Sequence, residues 1–183
     1  MKKVLVGILM VALLAGAIVG YGVFYDRKVP NFKGTADLFV YPGMDVGEVT
    51  DSILASGCVK KPRSLRRAMS TVNEIAPGHY TIDSTRTSMY VSRMIHGGWQ
   101  TPVMLTLSGS IRTYRALARK IGSQMLADSA SIASFCADSL GSFGLDTAML
   151  FTRIIPDSYQ MKWTSAPRAI FDRLTKEIGR AHV

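Results

Sequence analysis

The chain of 183 residues has room for one medium domain or two small ones once any membrane segment is set aside, which excludes a large multidomain enzyme. Apolar residues make up 48% and charged residues 19%, so the chain should bury a core and is neither disordered nor collagen-like. The 22 Lys and Arg against 13 Asp and Glu give a net charge of +9, which favours an anionic neighbour such as a lipid surface, a cell-wall polymer or a nucleic acid without choosing among them. Two cysteines, Cys58 and Cys136, cannot build a disulfide scaffold or a four-ligand zinc site. His79, His96 and His182 show no metal-ligand spacing, so neither a metal nor a cofactor is expected.

Val4 to Phe24 is an uncharged apolar run of 21 residues, about what a helix needs to cross a bilayer. Lys2 and Lys3 before it favour a cytoplasmic N-terminus, which puts the bulk of the chain outside. The small-x-small pattern Ala15-Gly16-Ala17 leaves a cleaved signal peptide as the competing reading. The apolar run continues through Ile18, Val19, Val23 and Phe24 and so favours an uncleaved anchor. Both readings export the remainder. In an oxidising compartment Cys58 and Cys136 could pair, but their apolar surroundings in the sequence favour buried free thiols.

Residues 26–35, DRKVPNFKGT, read as a polar linker. Leu38 to Tyr41 predicts a short strand, Pro42-Gly43 a turn, and Asp45 the N-cap of a helix with Val46, Val49, Ile53 and Leu54 on its apolar face, stopped by Gly57. Cys58-Val59 begins a second extended piece. A short helix over Leu65 to Met69 exposes Arg66 and Arg67, and Gly78 to Ile82 alternates like a strand. A shift of 40 residues aligns a second strand, turn, helix and glycine, with Val40 on Tyr80, Val49 on Met89, Leu54 on Met94 and Gly57 on Gly97. A third strand-then-helix unit runs from Val103 to Leu107 into Arg112 to Met125. Ser129 caps a helix through Phe135. Asp146 caps a short run from Ala148 to Phe151, and the last helix starts near Ser165 with Ala169, Ile170 and Leu174 inward. The fold class is therefore α+β, small modules in series behind an N-terminal transmembrane helix.

This order of signals resembles the endolytic murein transglycosylases, the MltG or YceG-like family, and most closely their Bacteroidetes-type version. The resemblance covers residues 1 to 177. It rests on the anchor, on Val40-Tyr41-Pro42-Gly43-Met44-Asp45-Val46, on Pro77-Gly78-His79-Tyr80, on Gly97-Gly98-Trp99-Gln100-Thr101-Pro102-Val103 and on Arg112-Thr113-Tyr114-Arg115-Ala116-Leu117-Ala118. Above all it rests on Phe151-Thr152-Arg153-Ile154-Ile155-Pro156-Asp157-Ser158-Tyr159-Gln160-Met161-Lys162-Trp163, which is similar to the family's Ile-Pro-Asn/Asp-Thr-Tyr block followed by Tyr-Trp. Ser158 and Lys162 depart from that pattern. The resemblance implies a membrane anchor over 1–25, a linker over 26–35, a LysM-like module over 36–83, a second α+β module over 84–150 and the start of a cleft domain over 151–177.

It further implies a lyase that cuts nascent peptidoglycan between MurNAc and GlcNAc and leaves 1,6-anhydro-MurNAc ends. The protein would sit in the inner membrane as a single-pass protein with its bulk in the periplasm, working on glycan strands beside peptidoglycan synthases. Such chemistry needs a carboxyl kept protonated near neutral pH by apolar surroundings, without a partner carboxylate spaced for an attacking water. None of the three glutamates suits that role: Glu48 falls on a polar helix face, Glu74 in a connection and Glu177 beside Lys176. The family's acid lies downstream of the Ile-Pro-Asn/Asp-Thr-Tyr block, so the catalytic residue is expected beyond the chain end and the chain alone is expected to be inactive. Residues 178–183, IGRAHV, back-translate into a common sequencing adapter and are expected to be non-native, against the competing reading of a real short C-terminus.

Pro156, Asp157, Ser158 and Tyr159 are the candidate substrate-binding residues, because carboxylate, hydroxyl and phenol all hydrogen-bond sugar hydroxyls. The competing reading is a turn that packs Tyr159 at a domain boundary. Trp163 is expected to be a core lid and Trp99 to pack the repeats together, with sugar stacking the alternative for each. The Tyr41–Met44 turn marks where LysM-like modules hold amino sugars, and equally a turn required only by geometry. Two other functions remain: a membrane-anchored peptidoglycan-binding module without catalysis, and nucleic-acid binding, which the exported topology argues against.

Overall fold

The computed structural model describes residues 2–109, 111–139 and 157–178. The chain forms two compact units, Met1–Trp99 and Gln100–Val183. The first holds α1 (Lys2–Lys28), β1 (Ala36–Val40), α2 (Val46–Ala55), α3 (Pro62–Met69), β2 (Gly78–Ile82) and α4 (Ser88–His96). The second holds β3 (Val103–Leu107), α5 (Tyr114–Gly122), α6 (Ser129–Ser139), β4 (Asp157–Met161) and α7 (Pro167–Ile178). Mixed helix and two small antiparallel sheets behind an apolar helix make this an α+β chain. The short run expected at Ala148 to Phe151 lies outside the described residues.

Over most of its length α1 is exposed. Val11, Leu14 and Ile18 lie exposed, and the stretch Val6–Lys28 is long and apolar enough to span a membrane. Only its last turns are covered, where Gly22 and Asp26 are buried.

In the first unit β1 and β2 pair antiparallel from Ala36↔Ile82 to Val40↔Gly78. Strand alternation sends Leu38, Val40, Tyr80 and Ile82 inward, onto Val49 and Ile53 of α2, Leu65 and Met69 of α3, and Val91 and Ile95 of α4. Asp45 and Glu48 close a capping box at the start of α2. The Asp45 carboxylate accepts from Glu48 N–H at 2.8 Å, and the Glu48 carboxylate accepts from Asp45 N–H at 2.9 Å, satisfying two helix-end donors. Gly57 ends the turn after α2 at φ +69° and Gly98 the turn after α4 at φ +64°, a conformation that costs glycine least. The repeat therefore slips by one residue at its end: Gly98, not Gly97, is the partner of Gly57, and Gly97 is an ordinary helical C-cap.

Residues 26–35 are packed in part: Pro30 bridges to Thr87 and Phe32 to Val59, and Asp26, Asn31 and Phe32 are buried. Arg27, Lys28, Lys33, Gly34 and Thr35 are exposed.

The second unit repeats the order strand, helix, helix, strand, helix through its described residues. Its strands pair antiparallel from Val103↔Met161 to Leu107↔Asp157. Its core joins Leu105 and Leu107 to Leu117 and Ile121 of α5, Ile132 and Cys136 of α6, and Ile170, Phe171 and Leu174 of α7. Phe171, not Ala169, completes the inner face of the last helix. The Phe171 ring stacks on Phe135 at 5.3 Å between centroids, while Ala169 is exposed. Both cysteines are buried free thiols, Cys58 against the first core and Cys136 within the second.

Candidate functional site

The outer faces of the two sheets carry the exposed hydrogen-bonding and aromatic groups. On β1 and β2 these are the exposed Asp37 and Phe39 and the half-buried Thr81, with the buried His79 beneath them. The Phe39 ring, 42% exposed, stacks on the His79 imidazole at 4.6 Å with 29° between planes. The Asp37 carboxylate accepts the Thr81 hydroxyl at 2.8 Å and lies 3.1 Å from His79 Nε2. Tyr41 follows at the end of the sheet where Val40 pairs with Gly78, and is 54% exposed. The turn after it is held by Met44 N–H donating to Tyr41 C=O at 3.3 Å and by Gly43 at φ +90°. One short surface thus holds a flat aromatic, a phenol and a carboxylate, the groups that stack on a sugar ring and bind its hydroxyls.

On β4 strand alternation parts the candidate residues. Asp157 and Ser158 are exposed. The Asp157 carboxylate accepts Ser158 N–H at 2.7 Å, and the Ser158 hydroxyl lies 3.0 Å from that of Thr106. Tyr159 turns to the other face, buried opposite Leu105. Pro156 lies outside the described residues. The outer face here continues with Gln160 opposite Met104, and no aromatic ring projects from it among the described residues.

The two tryptophans differ. Trp163 is 5% exposed, and its carbonyl accepts Leu126 N–H at 3.0 Å, a packing role. Trp99 is 54% exposed and meets Tyr90 edge-on at 6.0 Å; Tyr90 in turn carries Arg86 over its ring at 4.3 Å. A Cβ at Gly97 would lie 2.7 Å from the Trp99 indole nitrogen, which is why glycine precedes this tryptophan by two.

Glu48 is exposed and committed to its cap, and Glu74 is exposed in the connection before β2. Neither is buried among apolar side chains. Among the described residues no cluster of His, Cys, Asp or Glu could hold a metal ion.

A buried polar network is the feature the sequence reading misses. Asn31 donates to Lys61 C=O at 3.0 Å and to the Ser88 hydroxyl at 2.9 Å, and accepts Lys61 N–H at 2.8 Å. Ser88 meets Ser64 at 2.8 Å, and Ser64 donates to the Asp26 carboxylate at 2.6 Å. Asp26, 3% exposed, takes two further hydrogen bonds from Arg67, at 2.6 and 2.9 Å. These hydrogen bonds, with the Asp26 charge, hold the half-exposed Arg67 guanidinium above its ordinary value against the opposing effect of burial. The last turn of α1 is thereby tied to α3 and, through Ser64 and Ser88, to α4.

No family model matches the chain, and no match to it is found among curated proteins. Among solved structures, the 2.6 Å crystal structure of a yceG-like protein from Listeria monocytogenes aligns with 80% of this chain and 55% of its own at 13% identity, with a TM-score of 0.39. This is a distant likeness, and the chain spans about half the length of that protein.

Proposed function

We propose that the chain is the membrane-anchored, glycan-contacting part of an endolytic murein transglycosylase, held in the inner membrane with its bulk in the periplasm. The observation that carries this reading is the first unit. A strand–helix–helix–strand module directly follows a membrane-length helix and displays Phe39, Tyr41 and Asp37 along one surface. This is the arrangement expected of a LysM-like module that holds amino sugars. In the reaction proposed for the whole enzyme, a glutamic acid protonates the glycosidic oxygen between MurNAc and GlcNAc. The resulting carboxylate then assists the muramyl O6 in closing on C1. Glu48 and Glu74 are exposed, so neither is proposed as that acid. Asp157 and Ser158 add hydrogen bonds to the strand; Tyr159 contributes packing.

Purified glycan strands mixed with the chain in detergent test both parts. The chain should retain strands and release no 1,6-anhydro ends by mass spectrometry; such ends should appear when it is joined to the downstream segment such an enzyme carries. Retention with no 1,6-anhydro ends from the joined protein would favour the alternative, a membrane-anchored peptidoglycan-binding module without catalysis. Absence of retention would sink both.

A further inference from the structure

Where α1 leaves its apolar run, it and the start of α3 enclose a cleft of about 560 Å³. Ile18, Tyr21 and Tyr25 form one wall, and Lys60, Lys61 and Arg63 the other. The Lys61 ammonium sits 3.9 Å above the Tyr25 ring. Arg67 lies on the floor, its guanidinium donating to Gly22 C=O at 3.2 Å. A Cβ at Gly22 would come within 2.9 Å of it, so glycine opens the space. No carboxylate lines the cleft. Asp26, just behind it, is already engaged by Arg67 and Ser64, and neither Lys60 nor Arg63 is ion-paired with any described residue. The cleft therefore pairs an apolar, tyrosine-bearing wall with a cationic one whose charge is not cancelled.

Resting on the membrane-anchored reading, we propose that this cleft holds the headgroup phosphate of an anionic phospholipid from the bilayer that α1 crosses. From Ile18 to Tyr25 the helix rises about 10 Å, the distance over which hydrocarbon gives way to headgroups, and tyrosines favour that level. The exposed Ile18 face runs straight into hydrocarbon and takes the acyl chain. Lys60, Lys61 and Arg63 take the phosphate, by charge attraction that weakens with salt. A lipid held there fixes the height and roll of the first unit on the membrane.

The test uses the full chain in nanodiscs of phosphatidylcholine with a minor fraction of phosphatidylglycerol, with co-purifying lipid counted by native mass spectrometry. The chain should enrich phosphatidylglycerol. Replacing two of the three exposed cations, Lys60→Gln with Arg63→Gln, should cut that enrichment about tenfold or more, at roughly fivefold per cation. Arg115→Gln with Arg119→Gln on α5 should leave it unchanged, as should an excess of inorganic phosphate. Equal enrichment in all three proteins, or none in the unaltered chain, would overturn the proposal, and loss to inorganic phosphate would reassign the cleft to a soluble anion. Flotation with pure phosphatidylcholine vesicles in high salt separates the two readings. A chain that floats without enriching phosphatidylglycerol contradicts the cleft alone, and one that fails to float contradicts the anchor and the cleft together.

Discussion

Both units run strand, helix, helix, strand, helix through their described residues, yet they are held together differently. The first buries Asn31, Ser64, Ser88 and Asp26 beside its apolar core and satisfies them with one another, with Arg67 and with the backbone. The second buries an apolar core and keeps its polar tie at the surface, where the Gln124 side chain accepts Thr106 N–H at 2.9 Å and donates to Thr106 C=O at 3.1 Å. The difference follows the position of α1, whose last turns are held by Arg67 and Ser64 through Asp26, and hydrogen bonds fix direction where apolar contact does not. Both units are thus sensitive to lost volume, and the first to lost polar partners as well.

Trp99 and Trp163 give each unit its own fluorescent reporter once the other is changed to Phe. The largest effect expected is in the first unit. Asn31→Ala strands the Lys61 N–H and C=O and removes a partner of Ser88, for a loss of about 3–5 kcal/mol in denaturant unfolding followed at Trp99. In the second unit Leu117→Ala should cost a comparable ~3 kcal/mol at Trp163 by leaving a cavity, whereas Gln124→Ala, which removes the surface tie, should cost about 1 kcal/mol. Equal sensitivity of the two units to polar substitution would break the contrast.

Gly122→Ala comes next. Alanine is the better helix former, but its Cβ would lie 2.8 Å from the Ser129 backbone nitrogen where α5 meets α6, so the second unit should lose about 1–3 kcal/mol. Alkaline pH sharpens the comparison further. Burial pushes the Tyr80 phenol up to about 12 and the Cys136 thiol up to about 11. The unfolded chain releases each proton first, so the stability is whole below the ordinary value and is lost as pH rises to the shifted one. In pH-dependent melts the second unit should weaken from about pH 9 and the first from about pH 10. The smallest effect is Asp45→Ala, which opens the capping box for about 1 kcal/mol at Trp99.

Much of the fold was legible because its signals are local. Asp45 with Glu48 three residues on, the alternation of Gly78 to Ile82 and the period of α5 each show within a few residues. The packing of residues 26–35 was not, because the partners of Asn31 lie 30 and 57 residues away and polar composition alone predicts exposure. The same distance hid Asp26, whose partners Ser64 and Arg67 are 38 and 41 residues on. For the candidate site, Ser158 and Tyr159 form one block in the sequence, but the period of a strand sets neighbours on opposite faces. The aromatic surface at Phe39 went unread because Phe39 lies between Leu38 and Val40, in an apolar run with no visible alternation of its own.

Co-sedimentation of the full chain with purified glycan strands tests the central claim most directly. The account predicts that Phe39→Ala and Tyr41→Ala each weaken retention roughly tenfold, while Met104→Ala leaves it unchanged and Ser158→Ala weakens it about twofold. Unchanged retention in both aromatic variants, or a larger loss from Ser158→Ala than from either, would contradict the assignment of the first unit as the glycan-binding one.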